Sequence, residues 1–335
     1  MNGSANEALP SSRPDVIAAA TELDHRLTSV DRRLRRDRVT VPPAVAHREV
    51  TTAFWALVEV LRQAEAAGVS DEEIERCRQI VGRWLFRARV FNRAYHKPHG
   101  YAGDFMMVEW MYDLETDACA LPHQPALVNC LDHLGKTVNS IIAVWERRHH
   151  YAALLRQEHE RRGGVLRVLD VAGGGARYIR DFLEQVIPGP GLSITVLDQD
   201  SAAIAYCRTQ SLAAWPERVR LVDAPIRDLP RALGHAEFDV IISAGLFDYL
   251  DDASARGLLA DLTGRLAPDG TLAISNFHPD DPSRLVKSWL VDWALVYRDE
   301  VACAGLFPDG LDPTTKRSAD GSLVYARVTR EEMTR

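Results

Sequence analysis

The run Val168-Leu169-Asp170-Val171-Ala172-Gly173-Gly174-Gly175 constrains this chain more than any other segment. Val-Leu-Asp-Val reads as a short buried strand, and the glycines after it allow a tight turn where backbone can approach a ligand closely. A helical stretch follows at once, over 176–185. Strand, glycine turn and helix N-terminus form the arrangement with which α/β proteins hold a nucleotide-like ligand at the carboxyl end of a sheet. A second strand, over 192–197, ends in Asp198. A carboxylate there can accept hydrogen bonds from both hydroxyls of a ribose.

The rest of the second half alternates in the same way. Strands are expected at 166–171, 193–197, 219–222, 240–243 and 271–275, with helical stretches between them. That alternation predicts βαβ units and a parallel sheet. Residues 322–328 alternate apolar and polar and read as a last strand. The first half reads as helices. Ser70-Asp71-Glu72-Glu73 is a capping box, with Ile74, Cys77, Val81, Trp84 and Leu85 on one face. A long amphipathic helix carries Leu127, Leu131, Leu134, Val138, Ile141, Trp145 and Leu155 and stops at Gly163-Gly164. The expected organisation is a helical N-terminal domain over 1–162 and an α/β domain over 163–335.

The length of 335 residues suffices for two such cores. The net charge of -7 argues against a surface that coats nucleic acid, and the basic run Asp31-Arg32-Arg33-Leu34-Arg35-Arg36-Asp37-Arg38, with acids interleaved, reads as a solvated helix face. The five cysteines are dispersed with no C-x-x-C pair, which predicts reduced thiols and no zinc site. No signal pattern and no membrane-spanning apolar run is present, so a cytoplasmic protein is expected, with 1–13 frayed.

One loop stands out. Tyr95-His96-Lys97-Pro98-His99-Gly100-Tyr101-Ala102-Gly103-Asp104-Phe105 concentrates aromatic and charged groups between helix breakers. It reads as a lid over a polar ligand, with an interdomain turn as the plainer alternative. His96 and His99 alone do not make a metal site, and no metal is expected. After the fourth strand comes Ser243-Ala244-Gly245-Leu246-Phe247-Asp248-Tyr249-Leu250, which sets an aromatic face, a carboxylate and a phenol beside the glycine turn. A helix after the fifth strand should carry Trp289 and Trp293 on one face.

A dinucleotide-binding turn would show G-x-G-x-x-G and no acid at the end of the first strand. Here the order is acid, glycine turn, acid: Asp170, Gly173-Gly174-Gly175, Asp198. In this the chain resembles the class I S-adenosylmethionine (SAM) methyltransferases, from about Val165 onward. It departs from their D-x-G-x-G-x-G pattern, because only Gly174 keeps one of the three glycine positions. The resemblance implies a Rossmann-like sheet with SAM as cofactor. It assigns Asp170, Ala172, Gly173 and Gly174 to the amino-acid end of SAM, and Asp198 with Gln199 to the ribose. Asp223 and Ile226 would border the adenine, while Ser243, Ala244 and Gly245 would line the methionine end. Tyr101 and Asp104 of the lid complete the cofactor set, and Tyr249, Asp248 and Tyr101 are the candidates for the chemical step.

The loop Gly100-Tyr101-Ala102-Gly103-Asp104, the segment 243–250, and Asp292-Trp293 with Tyr297-Arg298 narrow the resemblance. They are similar to a subgroup that has a helical N-terminal domain. It includes bacterial enzymes linked to the methyl ester of a 3-hydroxy fatty acid, and azetidine-2-carboxylate synthases. Three functions follow as expectations. One is methyl transfer to a small acceptor in bacterial small-molecule metabolism. Another is intramolecular cyclisation of SAM with release of methylthioadenosine. The third is SAM binding without turnover. The partner expected is a small-molecule substrate, with neither nucleic acid nor membrane, and a homodimer is compatible with the sequence.

Overall fold

The structure, a computed structural model, describes residues 14–36, 43–116 and 124–330. Expectations for 1–13 and for Asp37 and Arg38 lie outside the described residues. Seven helices come first: α1 (Val16–Arg36), α2 (Pro43–Ala67), α3 (Asp71–Leu85), α4 (Arg89–His96), α5 (Phe105–Glu115), α6 (Ala126–Gly135) and α7 (Asn139–Arg161). The capping box forms as read: Ser70 Oγ accepts from the Glu73 N–H, and the Glu73 carboxylate accepts from the Ser70 N–H.

Strand and helix then alternate: β1 (Leu166–Val171), α8 (Arg177–Gln185), β2 (Leu192–Asp198), α9 (Ser201–Tyr206), β3 (Val219–Asp223), α10 (Leu229–Leu233), β4 (Phe238–Ser243), α11 (Asp252–Thr263) and β5 (Leu266–Phe277). The chain closes with α12 (Glu300–Ala304), β6 (Thr314–Arg317) and β7 (Leu323–Thr329). The sheet order is β3-β2-β1-β4-β5-β7-β6. Strands β1 to β5 pair in parallel, whereas β7 runs antiparallel to both β5 and β6. The Rossmann-like sheet read from the sequence is therefore present, with β6 as an edge strand that was not anticipated.

Period-two alternation divides the core. Val168, Val196, Val240 and Ile242 join the N-terminal helices in one apolar cluster. Leu169, Val171, Leu197 and Ile241 point the other way, into a cluster with α11 and α12. Strand order reverses between β1 and β4, and in such sheets the crevice outside their carboxyl ends is where ligands bind. Among the described residues, no helix is long and apolar enough to cross a membrane.

The segment after β5 departs from the sequence reading. Val286–Leu290 forms only a short π-turn, and Asp292 adopts φ 52°, so the helix meant to align Trp289 with Trp293 does not continue. The Trp289 carbonyl accepts from Arg78 Nε of α3, while Trp293 turns into the cavity described next.

Candidate active site

The glycine turn keeps the backbone of its motif despite the departures in sequence. Ala172, Gly174 and Ala176 occupy the three positions where glycine is usual, and all three have left-handed φ, at 55°, 55° and 51°. Two alanines thus carry a conformation that costs an L-residue roughly 1–2 kcal/mol. The glycines between them answer a different demand. A Cβ on Gly173 would collide with Asp170 Oδ2, and one on Gly175 with Glu109 Oε1 of α5. Ala172→Gly should therefore stabilise the fold by about 1 kcal/mol, read as a higher denaturant midpoint at unchanged slope. A lower midpoint would show that the alanine methyl contributes packing worth more than its strain.

The turn opens onto a cavity of about 310 Å³ at the carboxyl ends of the strands. Asp198 lines one side with Leu197, Gln199 and Ile226. It is 7% exposed, and its carboxylate is held by the N–H groups of Gly174 and Asp200, each at 2.8 Å. Burial raises its pKa above the usual carboxylate value. Two N–H bonds leave lone pairs on both oxygens, so the carboxylate is oriented and can still accept from a diol.

The opposite half of the cavity lies beyond β4 and β5. Ala244, Gly245, Asp248, Tyr249, Phe277 and Trp293 line it, with Val144 and Arg147 of α7. Asp248 is 2% exposed, and its Oδ1 accepts from the Phe277 N–H at 2.7 Å. Burial pushes its pKa up to about 6, against the opposing pull of Arg147, the Phe277 N–H, Lys287 and Arg298. A carboxylate so placed can accept a proton near neutrality. Arg298, itself buried, braces this corner by donating to the carbonyls of Phe247 and Leu250 and to Asn276 Oδ1.

Tyr249, a candidate for the chemical step in the sequence, lines the same cavity. Its hydroxyl donates to the Ala102 carbonyl at 2.6 Å and accepts from Trp293 Nε1 at 2.9 Å. These two bonds tie the loop to the cavity wall, although 38% of the Tyr249 surface remains exposed. Tyr101 meets Tyr249 edge-on, with centroids 6.1 Å apart, and its phenol is raised by burial and by Asp198, Asp200 and Asp104.

Tyr101 and Gly103 of the loop between α4 and α5 line the cavity, with Phe105 at the start of α5 beside them. The loop is held at both margins: His99 Nδ1 lies 2.6 Å from Asp200 Oδ2, and Lys97 Nζ lies 2.6 Å from Asp292 Oδ2. Tyr95 does not join it over the cavity; its ring stacks on Phe86 at 4.2 Å. Gly103 sits at φ 79°, and a Cβ there would strike the Tyr249 hydroxyl and approach Trp293 Cζ2 to 2.8 Å. Gly103→Ala should break the Tyr249–Ala102 tie and lower turnover while the helical circular dichroism stays intact. Wild-type turnover in this variant would mean that the tie is dispensable.

Four residues assigned to the cofactor from the sequence do not line the cavity. Asp170 is fully buried behind the turn, where Oδ1 accepts from the Tyr178 hydroxyl, and burial raises its pKa to about 7. Asp104 caps α5 by accepting from the Met107 N–H and pairs with Arg93. Ser243 Oγ donates to the Val171 carbonyl and so joins β4 to β1. Asp223 ends β3 opposite Asp198 but away from the cavity wall. Ala172, Gly173, Gly174, Asp198, Gln199, Ile226, Ala244, Gly245, Tyr101, Asp248 and Tyr249 are brought together on that wall.

Sequence reasoning missed Glu109 and Arg147, both buried and both lining the cavity. A signal for Arg147 existed: it falls on the buried stripe of α7 between Val144 and Tyr151. Glu109 likewise sits in the largely buried α5 and pairs with Arg177.

Residues 168–270 match the family described as a methyltransferase domain. That segment runs from β1 into β5 and contains the glycine turn, Asp198 and Asp248. No curated protein sequence matches the chain. The fold is similar to that of a Bordetella parapertussis protein described as "a possible exported protein", with 16% identity over 97% of this chain and 99% of that one, at a TM-score of 0.54. It is also similar to an O-methyltransferase family protein from Burkholderia thailandensis (15% identity, 97% and 100% covered, TM-score 0.48). The N-methyltransferase NodS from Bradyrhizobium japonicum, in complex with S-adenosylhomocysteine, matches over 55% of this chain and 87% of its own, with 20% identity and a TM-score of 0.42.

SAM is the cofactor of such a domain, and the residues present fit it. Asp198 presents oriented acceptor lone pairs suited to a ribose, and Ile226 offers an apolar contact for a base on the same wall. Gly173, Gly174 and Gly175 line the cavity with backbone alone.

Proposed function

We propose that this chain is a SAM-dependent methyltransferase that acts on a small-molecule acceptor. One observation carries the reading: the ribose-type carboxylate Asp198 and the buried carboxylate Asp248 face the same cavity from its two halves. When bound, SAM supplies an electrophilic methyl group on a sulfonium. Asp198 and Gln199 would hold the ribose, and Ile226 the adenine. The backbone at Ala172, Gly173, Gly174, Ala244 and Gly245 would line the amino-acid arm. Phe277, Trp293 and Tyr249 would shield the reaction centre from water, and ring faces there favour a cation by ~0.5–2 kcal/mol. Asp248 would take the proton that the acceptor's nucleophile gives up, and the covering loop would position the acceptor for in-line attack.

Product analysis tests this. The protein is incubated with SAM carrying a labelled methyl group, first alone and then with a pool of small-molecule metabolites. The reading expects S-adenosylhomocysteine and a labelled product only when the pool is present. Methylthioadenosine from SAM alone would replace it with intramolecular cyclisation. Binding of SAM with no product under either condition would leave a SAM-binding protein without turnover.

A further inference from the structure

Arg147 is a buried cation with no part in the cofactor contacts or the proton transfer proposed above. It projects from α7 to the cavity wall with 8% of its surface exposed, and its Nη1 is buried with no hydrogen-bond partner. The nearest carboxylate oxygen, Asp248 Oδ2, lies 3.8 Å from Nη1, beyond hydrogen-bond range. A buried charged donor left unpaired is costly, and a carboxylate offers a guanidinium its best match.

The neighbouring cations already have partners. Lys287 Nζ is 2.7 Å from Asp281, Arg298 is bonded to Asp252 and to backbone carbonyls, and Arg177 is paired with Glu109. Room beside Arg147 is kept open by Gly245, where a Cβ would stand 3.3 Å from both Nη1 and Nη2. The same cavity offers apolar lining from Val144, Leu246, Phe277 and Trp293.

From these observations we infer that the acceptor is a small carboxylic acid with an apolar body, and that Arg147 receives its carboxylate. The inference rests on the proposed methyltransferase reading and adds the substrate class. It places the acceptor's anion beside the Asp248 that takes its proton, in the half of the cavity away from Asp198. The carboxylate of SAM itself is the other group that Arg147 could receive, and the test separates the two.

The protein loaded with S-adenosylhomocysteine is titrated calorimetrically with acetate, hexanoate and benzoate, and with the matching neutral amides. At least one acid should bind ~10-fold or more tightly than its amide, the scale of a charge-assisted pair. Arg147→Met should abolish that preference, and Arg147→Lys should restore part of it. The affinity ratio of S-adenosylhomocysteine to methylthioadenosine, which lacks the amino-acid arm, should be the same in wild type and Arg147→Met. Equal binding of every acid and its amide by the wild type would overturn the inference without requiring any variant to fold. Collapse of the ratio in Arg147→Met would assign Arg147 to the cofactor's carboxylate and overturn it as well. If the wild type does not bind S-adenosylhomocysteine at all, the methyltransferase reading itself fails, which is a distinct result.

Discussion

Asp248→Asn should lower turnover by ~10²–10⁴ while leaving SAM affinity nearly unchanged, the signature of a lost proton acceptor. The substitution keeps the size of the side chain and its Oδ1, so the bond from the Phe277 N–H can persist. What disappears is the charge. Because burial lifts this carboxyl to about 6, the wild-type rate should fall as pH drops through that value. The sign follows from the chemistry: a protonated carboxyl cannot accept, so the active form lies on the alkaline side. The variant should lose this limb along with its rate. Retained turnover with the same acid limb would move the proton acceptor elsewhere. Tyr249 would be a poor replacement, since its hydroxyl proton is engaged by the Ala102 carbonyl.

The second large effect belongs to Asp198. Asp198→Ala removes a charged acceptor and should weaken SAM binding by ~1.5–3 kcal/mol, roughly tenfold to a hundredfold. The same carboxylate also holds the N–H groups of Gly174 and Asp200, so part of the loss will come from a loosened glycine turn. Asp198→Asn separates the contributions. It keeps one acceptor oxygen, and its loss should fall between those of wild type and alanine. Unchanged affinity in both variants, with secondary structure intact, would remove Asp198 from the site.

Much of this arrangement was legible in the sequence because parallel strands and glycine turns announce themselves locally. Val168 to Gly175 and the end of β2 at Asp198 each carry their signal within a few neighbouring residues. The same holds for the capping box at Ser70. Other features depend on contacts that no local pattern encodes. Trp289 and Trp293 have helical spacing, but the π-turn and the left-handed Asp292 separate them. Asp170, Asp104 and Ser243 have polar side chains near the expected ligand, yet each is occupied by a partner within the protein: Tyr178, Arg93 and the Val171 carbonyl. The strained alanines show the same limit from the other side. A motif that looks degraded at Ala172 and Ala176 retains its backbone, because the fold around it sets φ.

Titration of the wild-type protein with S-adenosylhomocysteine in a calorimeter tests the central claim most directly. Saturable binding at one ligand per chain is expected, weakened in Asp198→Ala and unaffected in Asp248→Asn. A folded wild-type protein that gives no saturable heat with this ligand would contradict it.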